Sequence, residues 1–224
     1  MRLHYHPASP YSRKAYVAAL LQGDVKCVML DVRGGALRTD AYRALSPFGK
    51  MPVLETDDGP LIESTSIVEY LEDMGIRILL PIGSERIARH FDRIGDHYLT
   101  EPQVALWFRT GTGDAERAPH TIARAWKMFA DQLSGRDFVA GSTFTLGDLG
   151  AAIATDYIEA VGIAPPPVIA AWVKRCFDIP VMARAREEAV PMNEFLLARR
   201  ARRMAEQANA TAEHEQVTID AGKV

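Results

Sequence analysis

The sequence predicts a small α/β unit followed by an all-α bundle. Strand-like and helix-like segments alternate over the first 75 residues, nothing strand-like follows, and beyond about residue 85 apolar residues recur at helical intervals. Of the 224 residues, 48% are hydrophobic and 25% charged, a globular balance that argues against wholesale disorder. A formal net charge of -3 gives no global attraction for nucleic acid or an anionic membrane, so neither is expected as a partner. No apolar run approaches the ~18 residues of a spanning helix, and the opening Met-Arg-Leu-His-Tyr-His-Pro lacks the apolar core of a signal peptide. Cys27 and Cys176 lie far apart and match no zinc spacing. The expectation is a soluble, cytoplasmic chain.

Each element has a local reason. Arg2 to His6 form a short strand with Leu3 and Tyr5 on one face, closed by Pro7. Ser9-Pro10 reads as a helix start, with Ser at the N-cap and Pro in the first turn, where its missing N–H costs nothing. That helix runs through Val17, Leu20 and Leu21 and stops at Gly23. Val25 to Val32 is a β-rich run, and a weak helix spans about Thr39 to Leu45. Pro52 to Glu55 and Leu61-Ile62 read as a hairpin turning at Asp58-Gly59, and Ser64 to Met74 closes the unit as a helix. Residues 1–76 are therefore one domain and 77–84 a linker.

From 85 to 205 the pattern is all-α. Ile87, Phe91, Ile94 and Tyr98 mark one helix, which Pro102 should bend or interrupt. Ile122, Trp126, Phe129 and Leu133 mark a second, Leu149, Ile153 and Tyr157 a third, and Ile169, Trp172, Val173 and Cys176 a fourth. Thr145-Leu146-Gly147-Asp148 fits a capping box, with Phe144 and Leu149 as its staple. Four arginines between Arg199 and Arg203 read as a solvated helix end, and 206–224 as a polar tail that frays into disorder.

Three segments could carry chemistry. His6 to Lys14 lies between a strand and a helix N-terminus, where unpaired amides and the Ser9 hydroxyl would stabilise an anion. For a thiolate, lowering the pKa by ~2 units from about 8.5 is worth ~2.7 kcal/mol and makes it the majority form at neutral pH. The alternative is that Ser9 only caps the helix. Gly49-Lys50-Met51-Pro52 places a proline at a strand mouth. Either the peptide is cis, freeing the Met51 backbone for an extended ligand, or Pro52 is an ordinary edge proline. Glu63-Ser64 opens a helix: a plain N-cap with a solvated carboxylate, or a site for an amino-acid zwitterion. The pairs His4–His6 and His90–His97 lack a third ligand, so no metal is expected.

In this order and spacing the three segments resemble the glutathione transferase family. Ser-Pro-Tyr-Ser stands at 9–12, where glutaredoxins carry Cys-Pro-Tyr-Cys. Ser-Pro-Phe-Gly-Lys-Met-Pro-Val-Leu follows at 46–54, Leu-Ile-Glu-Ser-Thr-Ser-Ile-Val-Glu-Tyr-Leu at 61–71 and Phe-Thr-Leu-Gly-Asp-Leu at 144–149. The resemblance implies a thioredoxin-like N-terminal domain, an all-α C-terminal domain and a serine-type, bacterial-like cytosolic enzyme acting in detoxification. It implies a cis Pro52, Met51 backbone groups on the cysteinyl part of glutathione, Glu63 and Ser64 on the γ-glutamyl end, and Lys50 near the glycyl carboxylate. Ser9 would activate the thiol, with Ser12, a backbone amide, Tyr11 or Tyr5 in reserve. Glutathione would be the co-substrate and a small apolar electrophile the partner, in a homodimer. Tyr98, Trp107 and Phe108 are candidate lining for the electrophile pocket. The rivals are glutathione-dependent isomerisation or dehalogenation, and a non-catalytic module of the same fold.

Overall fold

The computed structural model describes residues 1–75 and 77–221. Strand β1 (Arg2–Tyr5), helix α1 (Pro10–Gln22) and strand β2 (Lys26–Met29) form a parallel βαβ unit, and a one-turn helix (Ala36–Arg38) and α2 (Asp40–Leu45) follow. Strands β3 (Val53–Thr56) and β4 (Gly59–Ile62) make an antiparallel hairpin, and α3 (Ser64–Met74) ends the unit. The sheet order is β2-β1-β3-β4, with β3 antiparallel to β1. The hairpin turns at Asp57-Asp58, one residue earlier than expected. Gly59 already pairs with Thr56 and, at φ 116°, holds a conformation that glycine alone adopts easily.

Strand alternation supplies two cores. Leu3, Tyr5 and Leu54 face α1 and α3 in the main core, whereas Val53 packs with Leu30 and Tyr42 under α2 in a smaller one. The connector after α3 is tied back by Glu72, whose buried carboxylate accepts from the Leu79 and Leu80 amides at 2.8 and 2.9 Å. Burial pushes its pKa up against those bonds.

The remaining helices are α4 (Glu85–Gly95), α5 (Glu101–Phe108), α6 (Gly113–Gln132), α7 (Leu146–Ala160), α8 (Pro167–Phe177) and α9 (Pro180–Ala221). Between α4 and α5 the chain widens into a π-helical turn, Asp96–Thr100, where the Glu101 N–H reaches back to Asp96 O. This is the interruption Pro102 calls for, since a proline cannot supply the N–H a continuous α-helix needs. Tyr98, read as part of the apolar stripe, is 52% exposed because the wide turn rotates it outward.

Helix α7 runs through the middle of the bundle, and its start is fixed by Asp148. One oxygen accepts from Val139 N–H (2.9 Å) and Trp172 Nε1 (3.0 Å), the other from Thr145 N–H (3.0 Å) and its hydroxyl (2.9 Å). Gly147 lets α4 approach: an added Cβ would stand 2.9 Å from Ala88 O.

Two features depart from the reading of the C-terminus. Helix α9 continues to Ala221, its alanine- and glutamate-rich stretch being strongly helix-forming, and 222–224 lie outside the described residues. The arginines are not simply a solvated end: Arg200 and Arg203 donate to backbone carbonyls of α5. Among the described residues no helix is long and apolar enough to cross a membrane.

Candidate functional site

Two adjoining cavities open where the α/β unit meets the bundle. The first, about 300 Å³, is lined on one side by Lys50, Met51, Pro52, Glu63 and Ser64, and on the other by Arg93, Asp96, His97 and Glu101. The second, about 470 Å³, is lined by Ala8, Ser9, Pro10, Leu37, Val104, Phe108 and Arg109. Tyr11, Lys50, Met51 and Glu101 line both. All six residues singled out in the sequence therefore converge on this cleft, Ser9 in one cavity and Glu63 and Ser64 in the other.

The loop carrying Lys50 and Met51 is stitched from within. The Ser46 hydroxyl donates to Lys50 O at 2.8 Å and accepts from Lys50 N–H at 3.1 Å, and the Tyr42 hydroxyl donates to the same carbonyl at 2.9 Å. The Met51–Pro52 peptide that follows is cis. Lys50 itself is exposed.

Glu63 has φ 72° and ψ 121°, and is the one non-glycine residue with positive φ among those described. Such a conformation costs on the order of 1–3 kcal/mol and persists only where the surroundings impose it. Here the hairpin fixes one side and α3 the other: Glu63 is the N-cap, and its carbonyl accepts from Ile67 N–H at 3.0 Å. The result puts a carboxylate beside the amide end of a helix, with Ser64 buried next to it.

Ser9 is the N-cap of α1, in extended conformation, with Pro10 at the first helical position. Its Oγ accepts from Ser12 N–H at 3.2 Å, which leaves its own proton to donate. The preceding turn is short. Ser9 N–H donates to His6 O at 3.0 Å, and Ala8 N–H to His6 Nδ1 at 3.3 Å. Burial, then Arg33, lower the His6 pKa, consistent with an unprotonated acceptor nitrogen.

The reserve hydroxyls separate. Ser12 is fully buried, its hydroxyl without a hydrogen-bond partner and outside both linings. Tyr5 stacks on Tyr16, with its hydroxyl 3.4 Å from Glu188 on α9, away from the cleft. Tyr11 stands between the cavities. Burial and then the Asp96, Glu101 and Glu63 carboxylates push its pKa far above the usual tyrosine range. Of the aromatic candidates, Phe108 lines the second cavity, whereas Trp107 is buried and donates to Tyr157 O at 2.9 Å.

Sequence reading did not find the wall contributed by the bundle. Arg93, Asp96, His97 and Glu101 form a polar stripe at helical spacing beside the apolar face of α4, and that stripe was its only signal. Behind it lies a buried ionic knot. Lys14 Nζ reaches Asp92 at 2.6 Å, Asp96 at 2.9 Å and Thr65 Oγ1 at 2.9 Å, joining α1, α3 and α4 directly beneath the first cavity. Among the described residues no group of three His, Cys, Asp or Glu side chains is placed to hold a metal.

Comparison with known proteins agrees with this geometry. Residues 3–74 match the family model described as glutathione S-transferase, N-terminal domain, and residues 100–180 match the glutathione S-transferase, C-terminal domain. A glutathione S-transferase of Hyoscyamus muticus is 24% identical over 208 residues, covering 84% of this chain and 98% of its own. Elongation factor 1-gamma of Prunus avium is 32% identical over 122 residues, 50% of this chain and 29% of that one. The structure of a maleyl pyruvate isomerase, described as a bacterial zeta-class glutathione S-transferase, superposes with a TM-score of 0.72 at 22% identity, covering 84% of this chain and 97% of its own. On the match of both its halves, the chain belongs to the glutathione S-transferase family.

Proposed function

We propose that the protein is a serine-type glutathione transferase. Glutathione occupies the first cavity, and its thiolate, held at the start of α1, attacks a small apolar electrophile in the second. The observation that carries this reading is the shared wall. Met51 and Lys50 border both cavities, so an extended tripeptide paired with the Met51 backbone would lead from Glu63 and Ser64 toward Ser9. The γ-glutamyl ammonium would meet the Glu63 carboxylate and its carboxylate the α3 amides and Ser64. Lys50 would attract the glycyl carboxylate.

The Ser9 hydroxyl and the positive end of the α1 dipole lower the thiol pKa by stabilising the anion, which is differential binding of the reactive form. Pro10 has no N–H, and the Ser12 and Arg13 amides already donate to Ser9. The nucleophile comes with the substrate, so the protein supplies ionisation and proximity. An apolar electrophile is supported by the side chains of Ala8, Pro10, Leu37, Val104 and Phe108, which offer no hydrogen bonds and share the lining with the polar Ser9, Tyr11, Lys50, Glu101 and Arg109. An exposed groove bordered by Tyr98 and Met128 supports self-association, and a cytoplasmic, detoxifying homodimer is the biological form we propose.

A second reading is cis–trans isomerisation of an unsaturated acid with glutathione regenerated. Arg109 in the lining of the second cavity favours it, since its guanidinium, 3.4 Å from Asp114 on one side, could also hold a substrate carboxylate. The deciding experiment is calorimetry with glutathione followed by product analysis on an activated aryl halide and a cis-enoate. A thioether product supports transfer, and unchanged glutathione with a trans product supports isomerisation. Absence of glutathione binding sinks both and favours a non-catalytic module.

A further inference from the structure

The two walls of the second cavity come from different halves of the molecule, and one helix holds both. Leu37 stands on the α/β side, while Val104 and Phe108 of α5 stand on the other. Helix α9 is fastened to each. On the α/β side the Arg33 guanidinium lies 3.5 Å from the centre of the Phe195 ring, and its Nη2 donates to Met192 Sδ at 3.7 Å. Arg33 and Leu37 are bound into one tight loop. Asp31 accepts from Gly34 N–H through its side chain (2.8 Å) and from Ala36 N–H through its carbonyl (3.0 Å).

Further along α9 the partners change to α5. Arg200 donates to Leu106 O at 2.8 Å, and Arg203 donates to Trp107 O at 2.6 Å and Phe108 O at 3.2 Å. Gln207 donates to Thr110 O at 3.1 Å. A helix leaves its last carbonyls without intrahelical partners, and cations favour that end of its dipole. The C-terminal end of α5 is therefore capped by side chains of a helix about ninety residues away in sequence, as the separations of 94 to 97 residues record.

We infer that Met192 to Gln207 form a clasp which fixes the distance between the Leu37 wall and the Val104–Phe108 wall, and so sets the size of electrophile admitted. The inference rests on the second cavity being the electrophile site. A helix is stiff over this span, about 22 Å at 1.5 Å per residue, so the two anchorages are mechanically coupled. Loosening either lets its wall recede while the Glu63–Ser64 end of the cleft, which α9 does not line, keeps its shape.

The test uses Phe195→Ala, Arg203→Ala and Arg203→Lys in the full chain, with far-ultraviolet circular dichroism to establish folding. Hydrogen exchange should quicken at least tenfold at the Phe108 and Arg109 amides in Arg203→Ala. With a series of aralkyl halides of increasing bulk, both alanine variants should raise KM several-fold for the smallest member and increase turnover of the bulkiest. KM for glutathione should stay within twofold. Arg203→Lys, with one donor centre in place of a fork, should fall between. Phe195 is partly exposed, so its variant keeps the test available should Arg203→Ala fail to fold. Glutathione binding with an unchanged size profile in folded variants overturns the clasp alone. No glutathione binding by the wild type overturns the function and the clasp's selective role together.

Discussion

The Lys14 ammonium lies 2.6 Å from an Asp92 carboxylate oxygen in the seam between the α/β unit and the bundle, with both side chains almost entirely out of water. Asp96 shares the cation at 2.9 Å, and the Thr65 hydroxyl donates to Asp92 at 2.7 Å. Burial pushes the Asp92 pKa up, while Lys14 pulls it back only in part. Lys14→Met would leave the buried Asp92 carboxylate without its cation, while Asp96 keeps Arg93 at 3.1 Å, and the expected loss is about 3–5 kcal/mol of unfolding free energy near pH 7. With a raised native pKa, the folded state binds the proton more tightly than the unfolded one, so stability falls as pH rises through that value. The deficit of the variant should therefore shrink on acidification. Urea unfolding at pH 7.5 and 5.5 checks both points; a deficit below about 1 kcal/mol at the higher pH rejects the first.

Ser9 and Tyr11 are separable by their pH behaviour. Ser9→Ala should lower turnover at neutral pH and recover part of it as pH rises, because a bulk base can then ionise the thiol that the hydroxyl no longer helps. Loss of the cap to Ser12 N–H adds about 1 kcal/mol of destabilisation. The Tyr11 phenol stays protonated throughout this range, among Asp96, Glu101 and Glu63. Tyr11→Phe should raise KM for glutathione and leave the pH profile of kcat unmoved. A shifted profile in Tyr11→Phe, or an unshifted one in Ser9→Ala, reverses the assignment.

His6 ties the turn before Ser9 to pH. Burial first and Arg33 second hold its pKa below 6.5, and its Nδ1 accepts from Ala8 N–H. A depressed native pKa means the unfolded chain takes the proton first. The contribution to stability is thus complete above about 6.5 and is lost as pH falls through the native value. Protonation also removes the acceptor that shapes the turn, so glutathione affinity should weaken in the same window. His6→Asn, whose side-chain oxygen can accept from the amide two residues on, should abolish that acid limb. An NMR titration midpoint above 6.5, or an acid limb that survives in His6→Asn, disposes of this link.

Local chemistry explains what the sequence made legible. Ser9-Pro10 at the start of α1 and Gly23 after it each act through bonds within a few residues, and each stands where the spacing puts it. Cooperative burial was not legible. Arg13 and Lys14 are charged residues on a surface-like segment, yet both are buried, because Asp156, Asp92 and Asp96 arrive from helices far along the chain. The cleft shows the same divide. Glu63, Ser64, Lys50, Met51 and Ser9 announce themselves by motif, whereas Arg93, Asp96, His97 and Glu101 read only as the solvated face of a helix until α4 is docked. The α5 cap illustrates it most clearly: nothing near Leu106 or Phe108 in sequence points to Arg200 and Arg203.

Asp148 combines both kinds of information and gives the sharpest stability test. The capping-box half, to Thr145, is local, whereas the bonds to Val139 N–H and Trp172 Nε1 tie the start of α7 to the loop before it and to α8. The carboxylate is fully buried, and burial pushes its pKa up despite four donors aimed at it. Asp148→Asn removes the charge at nearly constant volume, which on desolvation grounds alone would stabilise. It also replaces one acceptor oxygen with an amide nitrogen, which costs least when it faces Thr145, whose hydroxyl can turn to accept while its N–H is opposed. One bond is lost and one buried donor is opposed; at about 1–3 kcal/mol for an unsatisfied group, the loss outweighs the relief, and the expected net cost is about 2–3 kcal/mol. Thr145→Val, which removes the N-cap hydroxyl, should cost about 1 kcal/mol. Denaturant midpoints at constant m-value decide the matter: an Asp148→Asn variant as stable as Thr145→Val would mean that desolvation, rather than the four-donor network, governs this site.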